Sequence, residues 1–425
     1  YNPYTILQLS EVLEDFKIRV GDQIAYRGRA VVSGMVNTGI LLVCEVTLSD
    51  AWLETSLLAN GEGEQSLGQQ IDSFVHDWKQ AHQVETRFKL EVADSQNLLI
   101  GLQRWLEQIE LGVRATATAN RQALEKEVLG QVQEKVLEEV QAVLQSLNDT
   151  GATVPEGRVA THKSYLRRQL HPFFLCAPFV YRTFHKPLGY AGDYEMVNML
   201  LRDPFEGGTL FAKTVNNAFI QMPPAEAHRN RIRRLGDILQ EETSRNAGQG
   251  RRTEVLNLGC GPAREVETFL MNEELSDLAS FTLLDFNSET IEHAQRNLMK
   301  ARTTMGRMTP ITFVERSVHQ LLRNASGGEE DLKWGGYDFV YCAGLYDYLS
   351  QRVCKRLTEL FYRLLRPGGL LLLTNVTSAN PIRTTMEYVL EWNLIHRDEL
   401  TMRELVPDAV PAENVSLTTD QTKVN

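Results

Sequence analysis

EVLNLGCGPAREV, residues 254–266, reads as a strand, a tight turn and the start of a helix. Val255, Leu256 and Leu258 supply a buried strand of the kind found in parallel sheets. Gly259 and Gly261 allow a turn in which the backbone can approach a ligand closely. Residues 263–270 then predict a helix whose first N–H groups face that ligand. The spacing departs from GxGxxG, because Ala263 and Arg264 stand where that fingerprint would continue; the shorter turn suits a cofactor without a pyrophosphate. Further on, FTLLD (281–285) predicts a second strand ending in an acid, and Asp285 there can accept both ribose hydroxyls of a nucleoside. A helix over 288–300 follows. From 254 almost to the end, strand and helix patterns alternate, which predicts an α/β fold with a parallel sheet.

VLNLGCGPAREV (255–266), FTLLDFN (281–287), YDFVYCAGLYDYL (337–349) and LLRPGGLLLLTNV (364–376) resemble, in order, the successive motifs of class I S-adenosylmethionine-dependent methyltransferases. The resemblance implies a Rossmann-like domain with a mostly parallel seven-stranded sheet and S-adenosylmethionine as cofactor. It implies that the turn of Gly259, Cys260 and Gly261 holds the amino-acid end of the cofactor, that Asp285 holds the ribose, and that Phe286 flanks the adenine. After the strand at 311–314, Ser317 and Val318 are the nearest candidates for an adenine contact, although the usual acid is missing there. The strand at 337–342 then ends beneath the transferred methyl group, so that Ala343, Gly344 and Tyr346 line the reaction centre. LRPGGL (365–370) predicts a helix stop and a turn into another buried strand. A closing antiparallel hairpin is expected near the C-terminus, with 415–419 as its first strand and the last strand truncated.

The 425 residues are 43% hydrophobic and 8% aromatic, enough for two or three domains with cores of their own. The net charge of −11 argues against a nonspecific grip on nucleic acid, and no nucleic-acid partner is expected. Arg229, Arg231, Arg233 and Arg234 form a local basic cluster, read as a solvated helix face. Five widely spaced cysteines, among them Cys260 and Cys342, read as free thiols and small fillers in a reducing compartment. No apolar run reaches the roughly 18–20 residues of a membrane span. We therefore expect a cytoplasmic protein. His171, His185, His293, His319 and His396 lack metal-ligand spacing, and no metal is expected.

Four parts are expected: a β-rich module over 1–62, a helical bundle over 63–150, a helical lid or substrate region over 151–248, and the cofactor domain over 249–425. QIAYRGRAVVSGMVNTGILLVCEV (23–46) has the short β-branched runs and glycine punctuation of hairpins. It resembles a degenerate PilZ module: Arg27 and Arg29 are too close for its RxxxR motif, and 37–40 does not complete the second motif. Leu67, Ile71, Phe74, Val75 and Trp78 share a helical face, and the pattern resumes at Leu98, Leu99, Leu102, Trp105, Leu106 and Ile109. Leu129, Val132, Val136, Val140, Val143 and Leu147 fit either a coiled-coil seam of a homodimer or a bundle helix packed on its own chain; we favour the bundle. NDTGATVPEG (148–157) reads as a break.

HKPLGYAGDYEM (185–196) is the candidate lid, too polar for a core and too aromatic for a linker. Within it His185 and Tyr190 are, with Tyr346, the candidate catalytic residues; Asp347 and Tyr348 are further acceptor contacts. MEYVLEWNLIHR (386–397) reads as an amphipathic helix that either covers the sheet, the reading we favour, or walls an apolar substrate pocket. Methyl transfer is a displacement at a sulfonium with an excellent leaving group, so positioning carries much of the work and a carboxylate acceptor needs no base.

The GYAGDYE segment and the 386–398 stretch make the chain similar to a bacterial family of 3-hydroxypalmitic acid methyl ester biosynthesis proteins, which make a fatty-acid methyl ester cell-density signal. That resemblance implies O-methylation of a small-molecule or fatty-acid carboxylate. Methylation of protein or RNA, and a non-catalytic cofactor-binding regulator, are the competing readings.

Overall fold

The computed structural model describes residues 12–20, 23–37, 42–48, 68, 71–72, 74–76, 83–324 and 335–425. The chain divides into two compact units, Tyr1–Gln83 and Val84–Asn425.

In the first unit β1 (Val12–Val20), β2 (Gln23–Asn37) and β3 (Leu42–Leu48) form an antiparallel sheet in sequence order. Tyr26, Ala30 and Val32 point alternately with exposed neighbours and are fully buried, the period-2 signature of a half-buried sheet. Arg27, one of the two arginines weighed as a nucleotide ligand, is paired with Asp15 at 2.9 Å. Most of the 37–40 motif lies outside the described residues; of the helical face read at 67–78, Ile71, Phe74 and Val75 are helical but exposed, while Leu67 and Trp78 lie outside the described residues.

The second unit starts with a helical layer. α1 (Thr86–Ala115) and α2 (Thr118–Ala152) fold back on each other across two residues, and α3 (Val159–Phe174) packs beside them. Leu129, Val132, Val140, Leu144 and Leu147 are buried in this unit's own helical core, the intramolecular solution to the heptad pattern. The break read at 148 comes later, because α2 runs on to Ala152. Asn148 is held inside it by bonds to the far end of the chain: its amide donates to Pro381 O at 2.8 Å and accepts Thr385 N–H at 3.2 Å. α4 (Pro178–His185), α5 (Tyr194–Leu201), α6 (Leu210–Ile220) and α7 (Pro223–Ala247) complete the layer. α7 opens with prolines in its first turn, where a missing N–H costs nothing.

β4 (Thr253–Leu258), α8 (Arg264–Asn272), β5 (Ala279–Asp285), α9 (Ser288–Thr304), β6 (Ile311–Glu315), α10 (Val318–Asn324), β7 (Tyr337–Cys342), α11 (Gln351–Leu364) and β8 (Leu365–Leu373) then alternate as expected. The five strands form an all-parallel sheet in the order β6-β5-β4-β7-β8. β4, β5 and β7 lie inside it and read as nearly continuous apolar runs buried on both faces. The order reverses between β4 and β7, and in such sheets ligands bind beyond the carboxyl ends of the strands at that switch point.

The C-terminal part departs from the sequence reading in three places. β8 is not a buried strand: as the last strand of the sheet it has only one neighbour and stays half exposed. Residues 415–419 form no strand; after β8 an isolated bridge pairs Thr377 with Arg397, and Thr377 N–H donates to Val424 O at 2.7 Å. Among the described residues the sheet therefore has five strands, not seven.

Third, the helix read over 386–397 is only α12 (Arg383–Val389). It ends where Glu391 turns left-handed (φ 52°) and Trp392 N–H closes back on Met386 O at 2.9 Å. It covers the helical layer and not the sheet: Thr385 donates to Leu144 O at 3.0 Å, and Arg167 donates to Tyr388 O at 2.8 Å. The short α13 (Glu399–Arg403) follows, with a capping box between Asp398 and Thr401. No helix among the described residues is long and apolar enough to cross a membrane.

Candidate cofactor and acceptor site

The turn after β4 is tied to β5 before any ligand is considered. The N–H groups of Gly259 and Cys260 both donate to Leu284 O, at 2.9 and 3.0 Å. Gly261, at φ 53°, donates its N–H to Asp285 Oδ2 at 3.1 Å, and a Cβ there would meet nothing within 4 Å. The turn thus presents bare backbone to the cleft. Ala263 follows in the left-handed region (φ 48°), a strained conformation for a residue with a Cβ, and α8 starts from it. Cys260 is buried, which pushes its thiol well above the usual range and makes it a filler.

Asp285 ends β5 and is almost fully buried. It accepts from Gly261 N–H and, through Oδ1, from Asn287 N–H at 3.1 Å; burial outweighs these bonds and pushes its carboxyl up to about 6. Phe286 follows, with the Tyr190 ring 5.5 Å away and tilted by 50°. Ser317 and Val318 lie just past β6, whose continuation is joined to β5 by Arg316 N–H donating to Asp285 O at 2.8 Å. The Ser317 hydroxyl caps α10 by accepting Gln320 N–H at 3.2 Å, and Val318 is buried.

The lid segment is an anchored roof. Lys186 takes a left-handed conformation and its ammonium donates to Glu391 O at 2.9 Å. Asp193 caps α5 and is paired with Arg182 at 2.8 Å; Tyr194 donates to Glu289 of α9 at 2.6 Å. Between these anchors the Tyr190 ring reaches Phe286, and burial raises its phenol far above the ordinary value. Tyr190 is thus an aromatic wall of the cleft, in ring contact with Phe286 and Tyr348. His185 points elsewhere: it is exposed and stacked on Tyr181, with ring centroids 4.2 Å apart.

Beyond β7, Gly344 turns at φ 94° and donates to Thr374 Oγ1 at 3.0 Å. Ala343 is half-buried beside it. Tyr346 does not join the cleft: it is fully buried, and its hydroxyl is spent on Thr358 Oγ1 (3.0 Å) and Cys354 O (3.4 Å). Arg397, also buried, donates to Tyr346 O and Leu349 O and fixes this turn from behind. The next two residues do face the site. Asp347 accepts Val376 N–H at 2.6 Å, and burial pushes it up to about 6. The Tyr348 hydroxyl accepts Trp392 Nε1–H at 2.9 Å and lies 2.7 Å from where a Cβ on Gly192 would sit.

The sequence reading missed Arg231. Its neighbours in the basic cluster are paired: Arg229, itself largely buried, and Arg233 with Glu226, and Arg234 with Glu241. Arg231 instead turns inward, and its Nη2 lies 3.0 Å from the position of a Cβ on Gly344. Among the described residues it makes no hydrogen bond or ion pair; Asp347 and Glu265 are the opposing charges that act on it most strongly. Burial pulls its guanidinium below the usual range. The missed signal was periodicity: Arg231 falls in the stripe Ala227, Leu235, Ile238 and Leu239 that α7 buries.

Glu265, in the first turn of α8, is buried as well. It accepts from Tyr341 OH at 2.7 Å and Asn257 Nδ2 at 3.3 Å, and burial raises its carboxyl. The Oδ1 atom of Asn257 is buried with no hydrogen-bond partner, a costly state that a ligand donor would relieve. Gly259, Cys260, Gly261, Asp285, Phe286, Gly344 and Tyr190 therefore surround the switch point, Ser317 and Val318 flank it, and Arg231, Glu265 and Asn257 supply opposite charges and an open acceptor.

Residues 255–369 match the family model described as a methyltransferase domain. No curated protein matches the chain. Among solved structures, a possible exported protein from Bordetella parapertussis is 16% identical over 69% of this chain and 95% of its own, with a TM-score of 0.43. PKMT2 from Rickettsia typhi, in complex with AdoHcy, is 20% identical over 32% of this chain and 24% of its own, at 0.25. A SAM-dependent methyltransferase from Geobacter sulfurreducens, in complex with S-adenosyl-L-homocysteine, is 21% identical over 31% of this chain and 47% of its own, at 0.21. The chain spans less than half the length of the last two.

Proposed function

We propose that this chain, a S-adenosylmethionine-dependent methyltransferase, methylates a carboxylate oxygen of a small or fatty acid, the 3-hydroxy fatty acid methyl ester type being the finest form of that reading. The buried residues at the switch point fit the cofactor. Asp285 accepts the two ribose hydroxyls, and Phe286 and Tyr190 flank the base. The backbone of Gly259 and Gly261 admits the amino-acid end. Its ammonium meets the open Asn257 Oδ1 and Glu265, and its carboxylate meets Arg231, a buried cation with no hydrogen bond or ion pair among the described residues. When bound, the cofactor supplies a methyl group on a positively charged sulfur.

What the chain itself must do is hold an acceptor oxygen in line and exclude water. The aromatic wall Phe286, Tyr190, Tyr348 and Trp392 runs from the ribose acid away from the cofactor turn. At its far end lies a pocket whose walls include Phe179, Leu200, Phe219, Met222, Leu390 and Trp392. The aromatic wall beside a charged cleft is the observation that carries the acceptor reading: it suits an apolar body with an anionic head. Burial keeps the Tyr190 and Tyr348 phenols protonated, which suits an acceptor already ionised at neutral pH. The first unit is proposed as a degenerate PilZ-like module used for packing or dimerisation, with Arg27 paired to Asp15.

The test is transfer of labelled methyl from S-adenosylmethionine to a panel of organic acids, counted in the organic extract before and after mild alkali. Alkali-labile label, lost with Asp285→Ala, is the expected result. Alkali-stable label would retain the enzyme and remove the carboxylate; label in protein or RNA would replace the acceptor class.

A further inference from the structure

Asn198 sits where three elements of the cofactor site meet. It belongs to α5, the helix that follows the roof, and it is buried. Its Oδ1 accepts Arg264 Nε–H at 3.1 Å, and Arg264 is the first residue of α8, just beyond the cofactor turn. Its Nδ2 lies 3.0 Å from Glu195 Oε2 and 3.1 Å from His293 Nε2 of α9. Chemistry fixes the orientation of this amide, because a guanidinium can only donate and an ionised carboxylate can only accept. Nδ2 is therefore the donor towards His293, and the imidazole must offer it a lone pair.

His293 is thus held as a neutral acceptor. Asn297 Nδ2, one turn along α9, lies 3.0 Å from the same ring nitrogen, and the Tyr194 ring lies against the imidazole with centroids 4.4 Å apart. The charged groups that act on the ring are Glu195 from α5, Arg264 and Glu267 from α8, and Arg296 from α9 itself. Burial holds the ring below its ordinary value of 6.5. A protonated ring has no lone pair and would set an N–H against the Asn198 N–H. The contact and the stability it carries are therefore present above 6.5 and lost as pH falls from there towards the lowered value of the folded chain.

Both helices gripped by Asn198 start at the cofactor cleft: α8 follows the turn at Gly261, and α9 follows Asp285 and Phe286. The Tyr190 ring, 5.5 Å from Phe286, hangs from the segment that leads into α5. We propose that Asn198 is a positioning residue for the cofactor: by tying the roof to α8 and α9 at once, it holds Tyr190 against Phe286 and keeps the cleft closed over the nucleoside. The role rests on the cofactor placement above and is independent of the acceptor.

Calorimetric titration of S-adenosylmethionine into the full chain at about pH 8 and about pH 6 tests this. Each variant is compared with the wild type at the same pH, so that protonation of Asp285 enters both alike. Asn198→Asp keeps an oxygen for Arg264 but turns another towards His293, which can bond it only when protonated. This variant is expected to bind about 10-fold more weakly than the wild type at the higher pH, the effect of one lost hydrogen bond, with the deficit shrinking at the lower pH. The His293 ring C–H resonance is expected to titrate below 6.5 in the wild type and above it in the variant. His293→Gln can offer Asn198 a carbonyl oxygen that does not titrate, and is expected to hold affinity at the higher pH where His293→Leu loses about 10-fold. That pair decides the matter if Asn198→Asp does not fold. A deficit of the aspartate variant that is absent or the same at both pH values, or equal affinities of His293→Gln and His293→Leu, overturns the role of Asn198. No binding by the wild type overturns the cofactor placement and this inference with it.

Discussion

A Cβ on Gly344 would lie 3.0 Å from Nη2 of Arg231. The turn after β7 and the inward arginine of α7 thus touch at the one point where a side chain is missing. Gly344 also sits at φ 94°, a conformation that side chains rarely adopt. Gly344→Ala should therefore cost about 1–3 kcal/mol of stability from backbone strain and displace the guanidinium. Cofactor affinity should fall by about 10-fold or more, an amount equal to ~1.4 kcal/mol or above. Paired thermal melts and calorimetric titrations check this; an alanine variant with wild-type affinity would separate Arg231 from the cofactor.

Asp285 carries a pH dependence whose sign can be worked out. Its carboxyl is raised from 3.8 to about 6 in the folded chain, so its contribution to stability is fully present below 3.8 and lost as pH rises through about 6. At pH 7.5 the ionised group costs about 3 kcal/mol relative to the unfolded chain. Asp285→Asn should therefore raise the melting temperature at pH 7.5 and leave it nearly unchanged at low pH. Ribose binding uses the ionised form, so wild-type cofactor affinity should decline as pH falls through about 6. A melt in which the asparagine variant is less stable at pH 7.5 would contradict the burial argument.

How far the sequence carried this account depended on whether a signal was local. The turn at 259–261 and the acid at 285 sit within one strand–turn–helix–strand segment, so periodicity and glycine chemistry were enough to read both. Tyr190 was legible as a site residue from the mixed polar and aromatic character of its segment. His185, five residues earlier, looked the same, but it lies on the outer side of α4 against Tyr181. Tyr346 shares a motif with Asp347 and Tyr348, yet the 3-10 turn there rotates it into the core. Arg231 was hidden among four arginines of similar spacing, and only the partners of the other three mark it out. The 383–389 helix was misplaced because its partners, Asn148 and Arg167, lie more than two hundred residues away.

Arg231 lacks a protein partner while partly desolvated, so it is a cost to the empty protein. Arg231→Met keeps much of the side-chain volume and removes the charge. It should leave the melting temperature equal or higher and weaken cofactor binding by about 10- to 100-fold, the 1.4–2.8 kcal/mol of one charged hydrogen-bonding group. Destabilisation with unchanged affinity would assign Arg231 a structural role.

Asn148 joins α2 to α12 and to Pro381 just before it through two hydrogen bonds, and it is buried. Asn148→Ala leaves Thr385 N–H unsatisfied and Pro381 O with only the longer bond from Gln145 Nε2, and should destabilise the second unit by about 1–3 kcal/mol. Because α12 positions Trp392, acceptor KM should rise while cofactor affinity holds. Denaturant melts and steady-state kinetics on the same preparation test both halves; a loss of cofactor binding in proportion to acceptor binding would tie α12 to the cofactor site instead.

The central claim is that the switch point of this sheet is a S-adenosylmethionine site organised by Asp285. Calorimetric titration of S-adenosylmethionine into the full chain and into Asp285→Ala at pH 7.5 tests it most directly. One site per chain, weakened by about 100-fold or more in the variant, is the predicted result, equal to the ~2.7 kcal/mol of two hydroxyl bonds to a buried carboxylate. No binding by the wild type, or equal binding by both proteins, would contradict it.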